Sequence, residues 1–473
     1  MKKFLACAVS VAMVASTLVA CNNTPASSSE TAVDPVDPAS SEEVVTPAAG
    51  EGGVINVYAF TDEVPNMIAK YVADHPDFPY EINSTITATD GGGYQEKLDL
   101  ALTAGGADAP DIYAAEAAFV LKYAQGDMAQ YAAPYEDLGI DVAGETAAAA
   151  IADYTIDIGT NPDGKLVGLG YQATGGAFIY RRSVAQATWG TDDPATVKEK
   201  IGGGSGSWDQ FWKAADELKA KGFGIVSGDG DMWHAIENSS DSGWIVDGKL
   251  NIDPKREAFL DVSKKLMDNG YHNDTTDWGE AWFADMKGEG AKEVLGFFGP
   301  AWLINYTIAP NCGGAAVGEG TYGDWAVTES PIGFFWGGTW VLASKNATAD
   351  PAKAAAVKDI IEWITLDCTE TGLQYAWANG TMSDAGTKDC VASGTVMEIS
   401  NGEIDFLGGQ NMFDVFVPAN ANAKGDNLTQ YDETINGYWR EQVRLFAAGE
   451  KDRDAAIADF KQQVADNLDV IVE

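Results

Sequence analysis

Hydrophobic and polar positions follow two periods along this chain. Val54-Ile55-Asn56-Val57-Tyr58-Ala59-Phe60 is a nearly unbroken apolar run, as expected of a parallel strand buried on both faces. Met67 to Ala73 is helix-like, Tyr80 to Thr87 is rich in strand formers, and Tyr94, Leu98, Ala101 and Leu102 recur at helical spacing before Gly105. Ile112-Tyr113-Ala114-Ala115, after Ala109-Pro110-Asp111, reads as a third short strand. This βαβα order followed by a strand predicts a doubly wound α/β unit whose ligand edge lies at the strand carboxyl ends.

Farther on, turn chemistry at Asn161-Pro162-Asp163-Gly164-Lys165 precedes an apolar stretch from Leu166 to Tyr171, and Gly176 to Tyr180 supplies another. These strands are expected to carry the chain between lobes. Ser207 and Gln210 are spaced as a capping box for a helix with Trp208, Phe211, Trp212, Ala215 and Leu218 on one face, ending at Gly222. Trp208, Trp212, Trp189 and Trp363 are therefore assigned to packing. Asp253-Pro254 and Asp350-Pro351 open two further helices. Gly202 to Gly206 reads as a loop.

A chain of 473 residues, 45% hydrophobic and 21% charged, must fold, and at ~100 to 200 residues per domain it makes two or three units. A two-lobed α/β protein is the expectation. With 71 acidic and 30 basic residues the formal charge is -41, which excludes nucleic acid as a partner and disfavours anionic ligands.

The amino end carries an address. Lys2 and Lys3 precede an apolar run from Phe4 to Ala20 that is too short and Ala-rich for a spanning helix and reads as a secretory signal. Leu18-Val19-Ala20-Cys21 resembles the lipobox of bacterial lipoproteins, making Cys21 the expected lipidated amino terminus, tethered outside the cytoplasmic membrane. A plain signal peptide is the alternative. Asn22 to Gly53 lacks Lys and Arg and is dominated by small and acidic residues. It is expected to be a linker spanning roughly 30 Å as a coil. Of the remaining cysteines, Cys312, Cys368 and Cys390, one at least is unpaired, while Cys368 with Cys390 is a candidate disulfide. Three scattered histidines and no Cys/His spacing argue against a metal, and no cofactor motif occurs.

Ordered blocks add a resemblance. Gly164-Lys165-Leu166-Val167-Gly168-Leu169 leading to Phe178-Ile179-Tyr180-Arg181-Arg182 resembles the middle segment of carbohydrate-type extracellular solute-binding proteins, the maltose-binding-protein-like family. Ala109-Pro110-Asp111-Ile112-Tyr113, Ser207-Trp208-Asp209-Gln210-Phe211-Trp212, Gly270-Tyr271, Phe298-Gly299-Pro300-Ala301-Trp302 and Gly337-Gly338-Thr339-Trp340 are similar to further blocks in the same order. The resemblance implies two lobes, residues 54–171 with 339–380 and residues 173–332 with 385–473, joined by hinges near Gln172, Phe335 and Met382. It implies a central cleft closing on a neutral mono- or oligosaccharide, delivery to the permease of an ABC importer, and a monomeric, non-enzymatic chain. A secreted glycoside hydrolase or a carbohydrate adhesin is the competing class.

A sugar offers hydroxyls that donate and accept, and weakly polar C–H faces, so its site mixes carboxylates, amides and rings. Asp62 and Glu63 follow the first strand and Glu116 follows the third, at the expected ligand edge, although Asp62 or Glu63 equally suits a helix cap. Asp90, before Gly91-Gly92-Gly93, suits a helix amino end facing the cleft. Asp231 and Trp233 lie in a Gly-rich stretch that, by the resemblance, lines the sugar site; Trp233 as a loop anchor is the alternative. Trp302 matches the family's aromatic position within one residue. Trp336 and Trp340 bracket Gly337-Gly338; strand alternation puts both on one face, so that one stacks on ligand or both are core. Trp278, Trp282 and Trp439 are secondary candidates.

Overall fold

The computed structural model describes residues 52–89, 92–383 and 385–473. Cys21, Asp90 and the expected export signal lie outside them, as does nearly all of the expected linker.

Strand β1 (Gly53–Ala59) pairs in parallel along its whole length with β2 (Tyr80–Ile86) and through Val57 and Tyr58 with β3 (Ile112–Glu116). Helix α1 (Glu63–Asp74) connects the first two strands and α2 (Gly93–Ala104) the next, giving the βαβαβ order legible in the apolar pattern. The apolar side of α1, with Val64, Met67, Ile68, Tyr71 and Val72, is buried. The sheet continues through two later strands, β10 (Thr339–Ala343) and β4 (Gly168–Gly170), in the order β2-β1-β3-β10-β4, with β10 antiparallel to both neighbours. Buried Asp111 secures it: the carboxylate accepts the Asn56 amide at 2.9 Å and the Asn346 side chain at 3.0 Å, and pairs with Lys353 at 3.1 Å. Losing that charge partner would strand a buried ion.

A second sheet has the order β8-β5-β9, with β5 (Ala177–Arg181) antiparallel to β8 (Gly296–Gly299) and β9 (Trp325–Thr328). The short pair β6 (Ile245–Val246) and β7 (Lys249–Leu250) stands apart. Packed with this sheet are α3 (Asp209–Lys219), α4 (Gly230–Ser239) and α5 (Phe259–Asn269), together with the mutually packed pair α7 (Asp432–Ala447) and α8 (Arg453–Asn467). The Ser207/Gln210 capping box does not form, because Trp208 takes the cap position and Ser207 Oγ accepts only the Asp209 amide at 3.1 Å. The Asp-Pro pairs behave as read. Asp350 accepts the Ala352 amide at 2.9 Å to open α6 (Pro351–Thr365), and Asp253 accepts the Lys255 amide at 2.8 Å to open a one-turn helix that leads into α5.

The segments passing between the sheets are stitched together. Gln172 bridges Val391, Gly175 bridges Phe335, and the Trp336 amide donates to Thr174 O at 3.1 Å. Cys312, Cys368 and Cys390 are all free, so the candidate disulfide is not formed.

Trp340 is core, correcting its candidacy as a ligand platform. It lies in β10, is 1% exposed, and donates its indole N–H to Thr155 O at 3.0 Å. The expectation of a shared face with Trp336 fails because Gly337 and Gly338 (φ 72° and 110°) break the strand alternation between them. Trp282 and Trp439 are likewise fully buried. Replacing Trp340 with Ala is expected to remove about 3 to 5 kcal/mol of unfolding free energy. Urea denaturation measures it, and a loss under about 1 kcal/mol contradicts the burial.

Candidate functional site

Between the carboxyl end of β3 and helices α4 and α7 lies a cavity of about 650 Å³. Glu116 closes β3 and reaches it with its carboxylate oriented by the Ala118 amide at 2.7 Å, the position that the strand-end rule assigns to ligand groups. Helix α4 contributes Trp233, His234, Glu237 and Asn238, one helical face at spacings of one, three and one residues. The crossing segment adds Phe335, Trp336 and Gly337, and His234 stacks on Trp336 with centroids 4.6 Å apart and planes 23° apart.

Helix α7 forms the largest wall. Asp432, Glu433, Asn436, Gly437, Arg440 and Arg444 face the cavity, while Ile435, Trp439 and Val443 face the core on the opposite side. Asn436 fixes the floor by donating to Glu237 at 2.6 Å while accepting the Trp244 indole N–H at 2.7 Å. The two arginines are already partnered: Arg440 pairs with Asp277, and Arg444 pairs with Asp229 at 3.3 Å.

Burial governs the charges left over. It lifts Glu116 to about 7, with Glu433 adding repulsion and the Ala117 and Ala118 amides opposing. It also lifts Asp432 to about 7, against the Thr429 hydrogen bonds and the Arg256 charge, with Glu237 repelling. Glu433 rises through burial and the nearby Glu237. At Glu237 burial pushes the same way, yet His234, Arg256 and Asn436 outweigh it and hold the carboxyl low. Near neutral pH the cavity therefore combines an ionised acceptor with carboxyl groups able to donate as well as accept.

The sequence candidates divide accordingly. Glu116, Trp233 and Trp336 line the cavity, and Trp302 stands directly behind it, donating its indole N–H to Trp336 O at 3.0 Å. Asp231 does not reach it. Its carboxylate is consumed by the amides of Ser227 and Gly228, each at 2.9 Å, and by the Trp282 indole at 2.9 Å, so it builds the amino end of α4. Asp62 is exposed at the cap position of α1 without capping, and Glu63 instead accepts the Tyr171 hydroxyl, so neither lines the cavity. Glu63 is pushed up to about 8 by burial, Asp389 and Asp62, and belongs to a separate buried acidic pair with Asp389 beside the crossings. Sequence reasoning named only the buried Trp439 of α7 and missed its cavity face, along with His234, Glu237 and Asp277.

Compared with known families, the chain matches the model described as bacterial extracellular solute-binding protein over residues 66–397. No curated protein matches it in sequence. Among solved structures, an extracellular solute-binding protein of family 1 is similar at a TM-score of 0.70 and 18% identity, covering 87% of this chain and 99% of that one. The galacto-N-biose-/lacto-N-biose I-binding protein of an ABC transporter from Bifidobacterium longum, in complex with lacto-N-biose, is similar at 0.64 and 17%, covering 90% and 100%. The GacH receptor of Streptomyces glaucescens, solved without ligand and with acarbose, is similar at 0.60 and 16%, covering 88% and 99%. The fold is thus the two-lobed solute-binding fold with a central cleft.

Asp432, 6% exposed, gives the electrostatics a direct check. Its carboxyl titrates near 7 in the folded chain against an ordinary value near 3.8, so the folded state holds the proton more tightly than the unfolded one. The burial penalty is absent below about pH 4 and grows by up to about 1.4 kcal/mol per pH unit until pH 7, then levels off. Asp432→Asn is expected to gain stability relative to the parent between pH 5 and pH 8 in denaturant titrations; a gap that stays constant with pH would falsify this assignment.

Proposed function

This chain belongs to the bacterial extracellular solute-binding proteins, and from that premise we propose that it captures a neutral mono- or oligosaccharide and passes it unaltered to an ABC importer. The observation that carries the reading is the cavity lining: indoles of Trp278 and Trp336 stand beside Glu116, Glu237, Asp432, Glu433 and Asn436, with Trp233, 1% exposed, packed in the wall as a core anchor. Rings accept the C–H faces of a pyranose, and carboxyl and amide groups accept and donate to its hydroxyls. Both cavity arginines are partnered by Asp, leaving no free guanidinium for a phosphate or carboxylate group of a ligand, and the surplus of acids repels one. The sugar-binding proteins named in the similar structures support the same class.

In this reading the lobes are residues 54–171 with 339–380 and residues 173–332 with 385–473, closing on crossings near Gln172, Phe335 and Met382. The chain acts as a monomer, without catalysis, held at the extracellular face of the cytoplasmic membrane by lipid on Cys21. Among the described residues no helix is long and apolar enough to cross a membrane.

Calorimetry of the purified protein against a panel of neutral sugars is expected to give saturable heat with a change in Trp fluorescence, and no new reducing ends on incubation. Heat from peptides but from no sugar overturns the ligand class, and hydrolysis overturns the binding role. Glu116→Gln and Trp336→Ala should each weaken the best sugar by about tenfold, as expected for losing one carboxyl partner or one ring. In whole cells, Cys21→Ser should move the protein from the membrane fraction to the soluble exported fraction; retention on the membrane refutes lipid anchoring at that residue.

A further inference from the structure

Arg256 sits where a charge is hard to keep. It lies in the one-turn helix that leads into α5 and is 1% exposed, and among the described residues its Nε and Nη1 have no hydrogen-bond partner. The guanidinium lies over the buried Trp244 ring, 4.7 Å from its centroid, and Trp244 packs in turn on Phe460 at 5.4 Å. An apolar side chain of that size would serve packing better than a cation with donors unmade. The charge itself therefore calls for a purpose.

Two carboxyls of the main cavity supply one. At Glu237 on α4 and at Asp432, which opens α7, burial pushes the carboxyl up and the Arg256 charge pulls against it. The link to Glu237 is also built in bonds. Trp244, beneath the guanidinium, donates its indole N–H to Asn436 at 2.7 Å, and Asn436 donates to Glu237 Oε1 at 2.6 Å. The other oxygen, Oε2, faces His234 Nδ1 at 3.5 Å. Arg256 and Glu237 both border a second, small cavity of about 10 Å³, together with Asn238, Ser240 and Lys424. Asn238 Oδ1 is a buried acceptor without a partner, as the two Arg256 nitrogens are donors without one. A space of that size is close to the smallest that holds a water, which needs two to four polar partners of both senses. Chloride fits less well, because the Glu237 carboxylate shares the space.

We propose that Arg256 is a positioning residue of the sugar site: from behind the wall, through Trp244 and Asn436 and through one water in the small cavity, it keeps the Glu237 carboxylate presented as an acceptor for a ligand hydroxyl. The inference rests on the sugar-binding reading. Glu237, 8% exposed, needs a compensating charge to remain a carboxylate. A direct ion pair would occupy its oxygens, as Asp277 and Asp229 are occupied by Arg440 and Arg444. A cation held one layer back supplies the charge and leaves the carboxylate available to a ligand.

The test is a double-mutant cycle on Arg256→Met and Glu237→Gln, with Arg256→Lys as the rescue. Calorimetry uses glucose, maltose, maltotriose, galactose and β-1,6-galactobiose, and urea midpoints are measured alongside. Arg256→Met is expected to weaken the best probe about tenfold in the parent background and less than twofold in the Glu237→Gln background, while Arg256→Lys stays within threefold of the parent. Where Met does not fold, Arg256→Gln, neutral but polar, takes its place with the same expectation. Equal losses in both backgrounds mark a packing role and overturn the proposal, as does a loss under twofold on removing the charge. Crystals of the parent should show one water bridging Arg256 and Asn238; a dry cavity or a chloride there overturns the bridge. A parent silent toward every probe refutes the sugar reading, and the hydroxyl role with it. The positioning of Glu237 is then read from the urea midpoints, where additive losses overturn it and non-additive ones support it.

Discussion

Backbone pairing among the segments that pass between the two sheets decides where everything else can be. Thr174 is the centre of it: its carbonyl accepts the Trp336 amide at 3.1 Å, its hydroxyl donates to Gly337 O at 2.8 Å, and its amide donates to the Tyr154 hydroxyl at 2.7 Å. The neighbouring Gly175 amide is taken by Asn420 at 2.8 Å. These bonds fix the Phe335-Trp336-Gly337 segment against the end of the first sheet, where Glu116 emerges from β3. A ring and a carboxylate from remote parts of the chain thereby share one wall.

On that frame, acidity acts in two ways. Over the surface it is solvated and keeps the chain soluble and unattractive to anions. Inside the cavity burial opposes ionisation, so Glu116 and Asp432, lifted to about 7, share protons at neutral pH while Glu237, beside Arg256 and His234, stays ionised.

The apolar pattern made the first sheet legible because a strand buried on both faces leaves an unbroken run, and the Asp-Pro starts because a single side chain satisfies the first free amide of a helix. The strand-end rule found Glu116. The same rule failed at Asp62 and Glu63, where the carboxyl groups lie at the start of α1 and Glu63 turns to Tyr171. Trp336 and Trp340 were indistinguishable by alternation because that rule needs continuous strand, and two left-handed glycines intervene. The cavity face of helix α7 was invisible for a different reason. Its Ile435, Trp439 and Val443 give a clear inward stripe, and the opposite stripe of Asp, Glu, Asn and Arg is what a solvated face looks like. Nothing local tells a face that meets water from one that meets a cavity. The one hint was the content of that stripe: Gly437, which leaves open space mid-helix, set between Asn436 and Arg440.

That ambiguity also explains why the arginines belong to architecture rather than to recognition. A guanidinium facing a cleft suggests an anionic ligand when read alone, yet each cavity arginine meets a carboxylate, and the two pairs tie α7 to Asp229 just before α4 and to the loop that follows α5. Removing water from such a pair costs much of what their attraction returns, so their contribution is placement more than stability. With those charges cancelled, the groups facing the open volume are carboxyls, an amide and the faces of indoles. They form hydrogen bonds in both senses and dispersion contacts, and they leave a unit of negative charge on a ligand without a partner.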